Sequence, residues 1–201
     1  INLSDCCINV NEIEKKITKK TKAIIPVHEF GNPADIKAIL NIAKKNNLYV
    51  IEDSACAIGS TYNNNKVGTF GNIGCFSFHP RKLITTGEGG AVITKNKQIA
   101  KKIRYLRNHG IVKINKKLII ENAGFNYRMT EFQAALGIEQ IKKIDSIIKH
   151  NYQLAKFYIK NLDEIPYLIL PILRKNLKSN FQSFHLIVKK DINRNNLLKY
   201  L

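Results

Sequence analysis

Residues 49–90 read YVIEDSACAIGSTYNNNKVGTFGNIGCFSFHPRKLITTGEGG, and this stretch decides the fold. With Leu48 just ahead of it, Tyr49-Val50-Ile51 makes an apolar run of the length a buried strand needs. The run ends in two acids, Glu52 and Asp53. A second apolar run, residues 73–78, ends in His79-Pro80-Arg81-Lys82, and glycines follow at Gly87, Gly89 and Gly90. If both runs lie in a parallel sheet, Asp53 and the segment after Phe78 emerge beyond strand carboxyl ends. Open α/β sheets bind their ligands at that edge.

The residue types gathered there suit pyridoxal 5′-phosphate. That cofactor needs a lysine amine to carry it and a carboxylate to keep its ring nitrogen protonated. It also needs hydrogen-bond donors for its phosphate. Lys82, Asp53 and Ser77 could fill these roles. Singly, each has a plainer reading. A lysine in a lysine-rich chain is a solvated charge, an aspartate after a strand is a turn or cap residue, and a serine in an apolar run is a tolerated small residue.

The wording of the chain adds to this. EDSACAIGS (52–60), KVGTFGNIGCFSFHPRK (66–82) and TTGEGGAVIT (85–94) stand in the order and spacing of the DegT/DnrJ-type (DegT/DnrJ/EryC/StrS) sugar aminotransferases, which the chain resembles. The resemblance extends upstream through TKAIIPVHEFGNPADIKAI (21–39). Downstream it includes LRNHG (106–110) and GFNYRMTEFQAALGIEQIKKID (124–145).

The resemblance implies an α/β fold, the fold-type I (aspartate aminotransferase-like) large domain of pyridoxal-phosphate transferases, with the start of a small α+β domain. Residues 1–150 would be the partial large domain, and residues 151–201 a linker helix with a truncated small domain. It implies Lys82 as the catalytic amine and cofactor anchor, Asp53 against the pyridinium and Ser77 on the phosphate. Cys56 stands beside the cofactor, where relatives often have Gln. Asn126 would reach the cofactor of a partner subunit in a homodimer with shared sites. Arg128 is a candidate substrate contact. His28, in the VH motif, is a candidate pocket residue, although a structural role is read ahead of a catalytic one. The implied reaction moves an amino group, commonly from glutamate, to a keto group of a nucleotide-linked sugar, in amino-sugar or surface polysaccharide biosynthesis. Lysine at position 82, where a deoxygenating group of relatives has His, argues for aminotransfer.

The rest of the 201 residues sets bounds. The formal net charge is +18, a value that raises nucleic-acid binding as a rival function. The lysines are scattered through every expected helix and loop, and no zinc-finger or helix-turn-helix spacing accompanies them, so compositional bias is preferred. No apolar run reaches membrane-spanning length. The four cysteines show no metal-ligand spacing and read as reduced thiols of a cytoplasmic protein. The chain begins at Ile1, and its only methionine is Met129. Relatives run longer at both ends, so a fragment or shortened product is expected, and an inactive remnant of the family is the alternative function.

Element expectations follow from pattern. A helix is expected over 13–20 and a strand over 23–27. A second helix should open on Asn32-Pro33, with Asp35 in its first turn, to give a βαβ unit with the strand at 48–51. Further elements are a strand over 91–94, a helix over 98–107 stopped by Gly110, and a loop or short strand over 112–120. Thr130 with Gln133 makes a capping box for a long helix with Ala134, Ile138, Ile141, Ile144 and Ile148 on one face. A strand over 181–188 and a last helix from Asn193 complete the reading.

Overall fold

A computed structural model describes residues 1–115, 117–190 and 192–201. Its centre is a four-stranded sheet built from β1 (Ala23–Ile24), β2 (Tyr49–Asp53), β5 (Ile73–Ser77) and β6 (Gly90–Ile93), in that spatial order. The short β3 (Thr61–Tyr62) and β4 (Asn65–Lys66) form a hairpin between β2 and β5, turning on Asn63 and Asn64 at positive φ. The pairs β1–β2 and β2–β5 are parallel, with Asp53 opposite Cys75, while β5–β6 is antiparallel. The expected parallel neighbours are therefore present, and Asp53 and Ser77 leave the sheet at the same edge.

Two helices pack near β1 and β2. The first, α1 (Val10–Lys16), starts earlier than its apolar spacing suggested, because Asn9 caps it by accepting from the Asn11 N–H at 3.0 Å. It ends at Lys16, and Ile17 is already extended. The second, α2 (Ile36–Lys45), is capped by Asp35, whose Oδ1 accepts from the Ala38 N–H at 3.3 Å. The expected cap, Asn32, instead closes a 3₁₀ turn at Glu29–Gly31 and donates to the Asp5 carbonyl at 3.2 Å. Ile36, Ile39 and Ala43 are buried along one face of α2, against a core that includes Ile24 and Val50. Pro26, which has no N–H, cuts β1 short. The pairing resumes past it: Asp53 N donates to Pro26 O at 2.9 Å, and His28 N donates to Asp53 O at 3.0 Å.

Beyond β6 come α3 (Lys97–Leu106), a hairpin of β7 (Ile111–Ile114) and β8 (Lys117–Ile120), then α4 (Glu131–Lys142) and α5 (Ile144–Leu162). The Thr130–Gln133 capping box is formed. The apolar row expected along this helical stretch is not a buried face. The helix breaks at Lys143, Ile148 on α5 is buried at 4% exposure, and Ile138 and Ile141 on α4 are 57% and 51% exposed. The segment ends with β9 (Leu168–Ile169), β10 (Leu177–Lys178), β11 (Ile187–Val188) and α6 (Arg194–Tyr200). β9 pairs with β11, and β10 pairs with β3.

The strand expected over 181–188 is reduced to β11. Side chains take the backbone donors a ladder would need: Ser179 Oγ accepts from Phe181 N at 3.0 Å, and Asn180 Oδ1 from Gln182 N at 2.8 Å. Such local bonds compete directly with strand pairing.

Gly31 lies under this segment with φ +90°, and a Cβ there would stand 1.8 Å from Asn180 Oδ1. Gly31→Ala combines left-handed backbone strain with overpacking, at a cost of about 3 kcal/mol. A thermal melt should show a fall of about 10 °C.

Candidate active site

The site begins at the end of β2, where successive side chains alternate between faces. Glu52 is fully buried and Asp53 half-buried. Glu52 Oε1 accepts from the N–H groups of Phe70 and Gly71, each at 2.7 Å. Its Oε2 accepts from Gly68 N at 2.7 Å and faces His28 Nε2 at 3.1 Å. One carboxylate thus gathers the 68–71 loop that leads into β5. Burial alone would push the Glu52 carboxyl up, but the hydrogen bonds from His28, Gly71 and Gly68 outweigh it and hold the group below its ordinary value.

A folded-state value below the unfolded one gives stability that is complete above the unfolded pKa of about 4.3. That contribution is lost as pH falls through the lower folded value. Urea midpoints measured from pH 7 to pH 3 should therefore drop at the acid end. The drop should be shallower in Glu52→Gln, which has no proton to take up.

His28 is fully buried with both ring nitrogens engaged. Nδ1 accepts from the Ala34 N–H at 3.0 Å, so Nε2 is the nitrogen that carries the hydrogen toward Glu52. Its surroundings fit the structural reading of this residue and leave no ring atom to face a pocket.

After β2 the chain turns tightly. Asp53 Oδ1 accepts from Ala55 N at 3.0 Å, and Ser54 N donates to Cys75 O at 2.9 Å. These bonds hold Cys56 near the sheet edge. After β5, Ser77 Oγ accepts from His79 N at 3.3 Å, and Lys82 N donates to His79 O at 2.9 Å. The 79–82 turn brings the lysine back over the edge, where Lys82 Nζ donates to Cys56 Sγ at 3.0 Å. The two loops that follow neighbouring parallel strands thus meet through their side chains. Asp53, Cys56, Ser77 and Lys82 lie at one edge, as the sequence pattern predicts.

Two further residues hold this arrangement, Asn180 just ahead of the expected strand and Gln182 inside it. Asn180, fully buried, donates from Nδ2 to Cys56 O at 3.0 Å and Ile58 O at 2.9 Å. Gln182 Nε2 donates to Arg81 O at 2.7 Å. One short segment therefore fastens both site loops. The polar Ser179-Asn180 pair ahead of Phe181 was the available signal.

Asn126 and Arg128 stand apart, and no hydrogen bond joins them to Lys82 or Asp53 among the described residues. Asn126 is exposed and bridges Asn108, whose Oδ1 accepts from Arg128 Nη1 at 2.7 Å. Arg128 lines a cleft of about 1010 Å³ between β6, α3 and residues 127–133, together with Arg104 and Arg107. Among the described residues, no group of three or more His, Cys, Asp and Glu side chains could hold a metal ion.

A mixed α/β sheet whose parallel strands β2 and β5 bring an aspartate and a lysine to one edge defines an α/β protein with a candidate ligand site at that edge. Comparison with known proteins narrows that class. The model of the DegT/DnrJ/EryC1/StrS aminotransferase family matches residues 1–201, and the chain belongs to that family. It is 43% identical to the uncharacterized protein MJ1066 of Methanocaldococcus jannaschii, over 96% of this chain and 53% of that protein. It is 42% identical to the GDP-perosamine synthase of Escherichia coli O157:H7, over 79% of this chain and 43% of that one. Among solved structures, PseC of Helicobacter pylori, an aminotransferase involved in the biosynthesis of pseudoaminic acid, superposes with a TM-score of 0.90 at 33% identity. That match covers 95% of this chain and 52% of PseC. The chain spans about half the length of the relatives it matches.

Proposed function

We propose that this chain contributes to a pyridoxal 5′-phosphate-dependent aminotransferase that moves an amino group, with glutamate as donor, onto a keto group of a nucleotide-linked sugar. The observation that carries the reading is the meeting of Lys82 Nζ with the loop after Asp53, 3.0 Å from Cys56 Sγ. The residues fit the cofactor. Asp53 has one oxygen occupied by Ala55 N–H, which leaves the other for a ring nitrogen. Ser77 Oγ accepts one bond and keeps its own proton to donate to a phosphate. When bound, the cofactor supplies an electron sink for negative charge developing at the carbon that carries the amino group. Lys82 is both its covalent anchor and, as a free amine, the base that takes the donor's α-proton and returns it. Asp53 keeps the ring nitrogen charged by pairing with it.

The reading of a sugar-nucleotide substrate is supported by relatives whose names include GDP-perosamine synthase and a UDP-amino-sugar transaminase. Residues 151–201 we read as a linking helix and the opening of a second domain. The reading includes no nucleic acid. The test is a titration with pyridoxal 5′-phosphate followed by borohydride reduction and peptide mapping. A stable label on Lys82 supports the reading, and a folded chain that takes up no label on Lys82 overturns it.

We also propose a homodimer. Phe132, Ile138 and Ile141 on α4 are 91%, 57% and 51% exposed, and Asn126 lies just ahead of that helix. A second copy would cover these apolar side chains and take Asn126 to its own site. Light scattering should show a dimer that Ile138→Asp weakens by about 100-fold in dissociation constant. A monomer at all concentrations would remove the shared-site role of Asn126. Among the described residues no helix is long and apolar enough to cross a membrane, and the four cysteines are free thiols. Both suit the cytoplasm, where we place the reaction.

A further inference from the structure

We propose that Cys56 and Lys82 form a reversible, peroxide-driven sulfur–nitrogen cross-link that removes the Lys82 amine from use. The proposal stands on a contact between two nucleophiles. Lys82 Nζ lies 3.0 Å from Cys56 Sγ, and both side chains are half-buried rather than sealed off. Each partner is fixed from behind. Asn180 Nδ2 holds the Cys56 carbonyl at 3.0 Å, and Gln182 Nε2 holds the Arg81 carbonyl at 2.7 Å. Neither loop has to move for the two atoms to react, and such positioning favours an intramolecular step strongly over an intermolecular one.

The chemistry balances in two steps. Hydrogen peroxide oxidises the Cys56 thiol to a sulfenic acid and is itself reduced to water. The Lys82 ammonium gives a proton to solvent, and its lone pair attacks sulfur. The S–N bond forms as the S–O bond breaks, and the departing hydroxide takes one of the two remaining amine protons and leaves as water, so the nitrogen keeps one hydrogen. The product is a sulfenamide that lacks two hydrogens relative to the reduced pair. A small thiol reverses it by attacking sulfur, which releases the amine. A second thiol then restores Cys56.

The other cysteines compete weakly. Burial pushes the thiols of Cys6 and Cys75 up, and that of Cys7 to about 12, which leaves little thiolate to react. No lysine Nζ is hydrogen-bonded to those three sulfurs among the described residues. The consequence for the enzyme rests on the proposed role of Lys82, because a lysine bound to sulfur cannot anchor a cofactor. The cross-link itself does not rest on that role.

The experiment treats the cofactor-free chain with hydrogen peroxide, digests it without reductant and maps the peptides by mass. The expected result is a peptide pair joined through Cys56 and Lys82, two hydrogens light and separated by dithiothreitol. It should be absent from Cys56→Ser, Cys56→Ala and Lys82→Met chains shown to be folded by circular dichroism. Oxidation of Cys56 to a sulfinic acid with Lys82 unmodified overturns the proposal, as does its pairing with another cysteine or its survival as a thiol. A second measurement separates the two readings. Untreated chain that takes up no pyridoxal 5′-phosphate counts against the proposed function and leaves the cross-link standing. If untreated chain does take it up, uptake after peroxide should fall in proportion to the cross-linked fraction and return with dithiothreitol. Full uptake by cross-linked chain would overturn the proposed block on Lys82.

Discussion

Lys82→Ala should give a folded chain that incorporates no borohydride-stable pyridoxal label and transfers no amino group at a measurable rate. Among the described residues its one side-chain hydrogen bond goes to the Cys56 sulfur, and the residue is half-buried, so truncation should cost no more than about 1 kcal/mol of stability. The chemical loss is far larger. Removing a positioned general base costs about 10²–10⁴-fold on its own, and loss of the covalent anchor is added to that. Lys82→Arg is the informative companion, because it keeps the charge and removes the nucleophile. It too should lose the label while keeping the wild-type melting temperature. A label that persists in Lys82→Ala, or maps to another lysine in the wild type, would break the assignment. Reduced turnover with normal labelling in the alanine variant would make Lys82 a positioning residue.

Glu52→Gln should be the most destabilising single change among the polar residues. The carboxylate accepts from three backbone N–H groups and faces His28, all within 3.1 Å. Glutamine can offer only one oxygen to that set, and its NH₂ group would point donors at donors. The environment is fully buried, so no water compensates without opening the loop. Breaking a buried charge out of such a network costs about 3–5 kcal/mol, which at this chain length lowers the melting temperature by about 10 °C or more. Glu52→Ala should behave similarly. A loss below about 1 kcal/mol would show that solvent replaces the carboxylate and that the 68–71 loop is held by other means.

The parallel strands, α2 and the edge that collects Asp53, Ser77 and Lys82 were legible because they are written locally. Apolar runs of strand length end in polar residues and glycines, and the helices carry a regular face. The Thr130 capping box was equally local. What the pattern missed is non-local. Glu52 and Asp53 look alike as adjacent acids, and only the pleat tells which one enters the core. Asn32 and Asp35 are both competent caps by sequence; in the fold Asp35 accepts from Ala38 N, while Asn32 donates from Nδ2 to the distant Asp5 carbonyl. The apolar spacing of Ile138 and Ile141 is helical, as expected. Spacing cannot say whether the partner for that face lies within one chain. The run from Phe181 to Val188 has strand composition, but Ser179 and Asn180 spend their side chains on its backbone.

The fastening of both site loops by residues 180 and 182 also bears on the order in which the molecule is made. The bonds from Asn180 to Cys56 and from Gln182 to Arg81 span 124 and 101 residues of chain. Contacts of that separation close late, because the entropy of the intervening loop must be overcome first. The Glu52 cluster joins residues that each lie within 24 positions of Glu52 and can form much earlier. A growing chain on the ribosome therefore acquires its sheet well before its reactive edge is fixed. The lysine acquires a fixed neighbour only after the segment near residue 180 has left the exit tunnel, so the proposed cofactor site is fixed only from that point on.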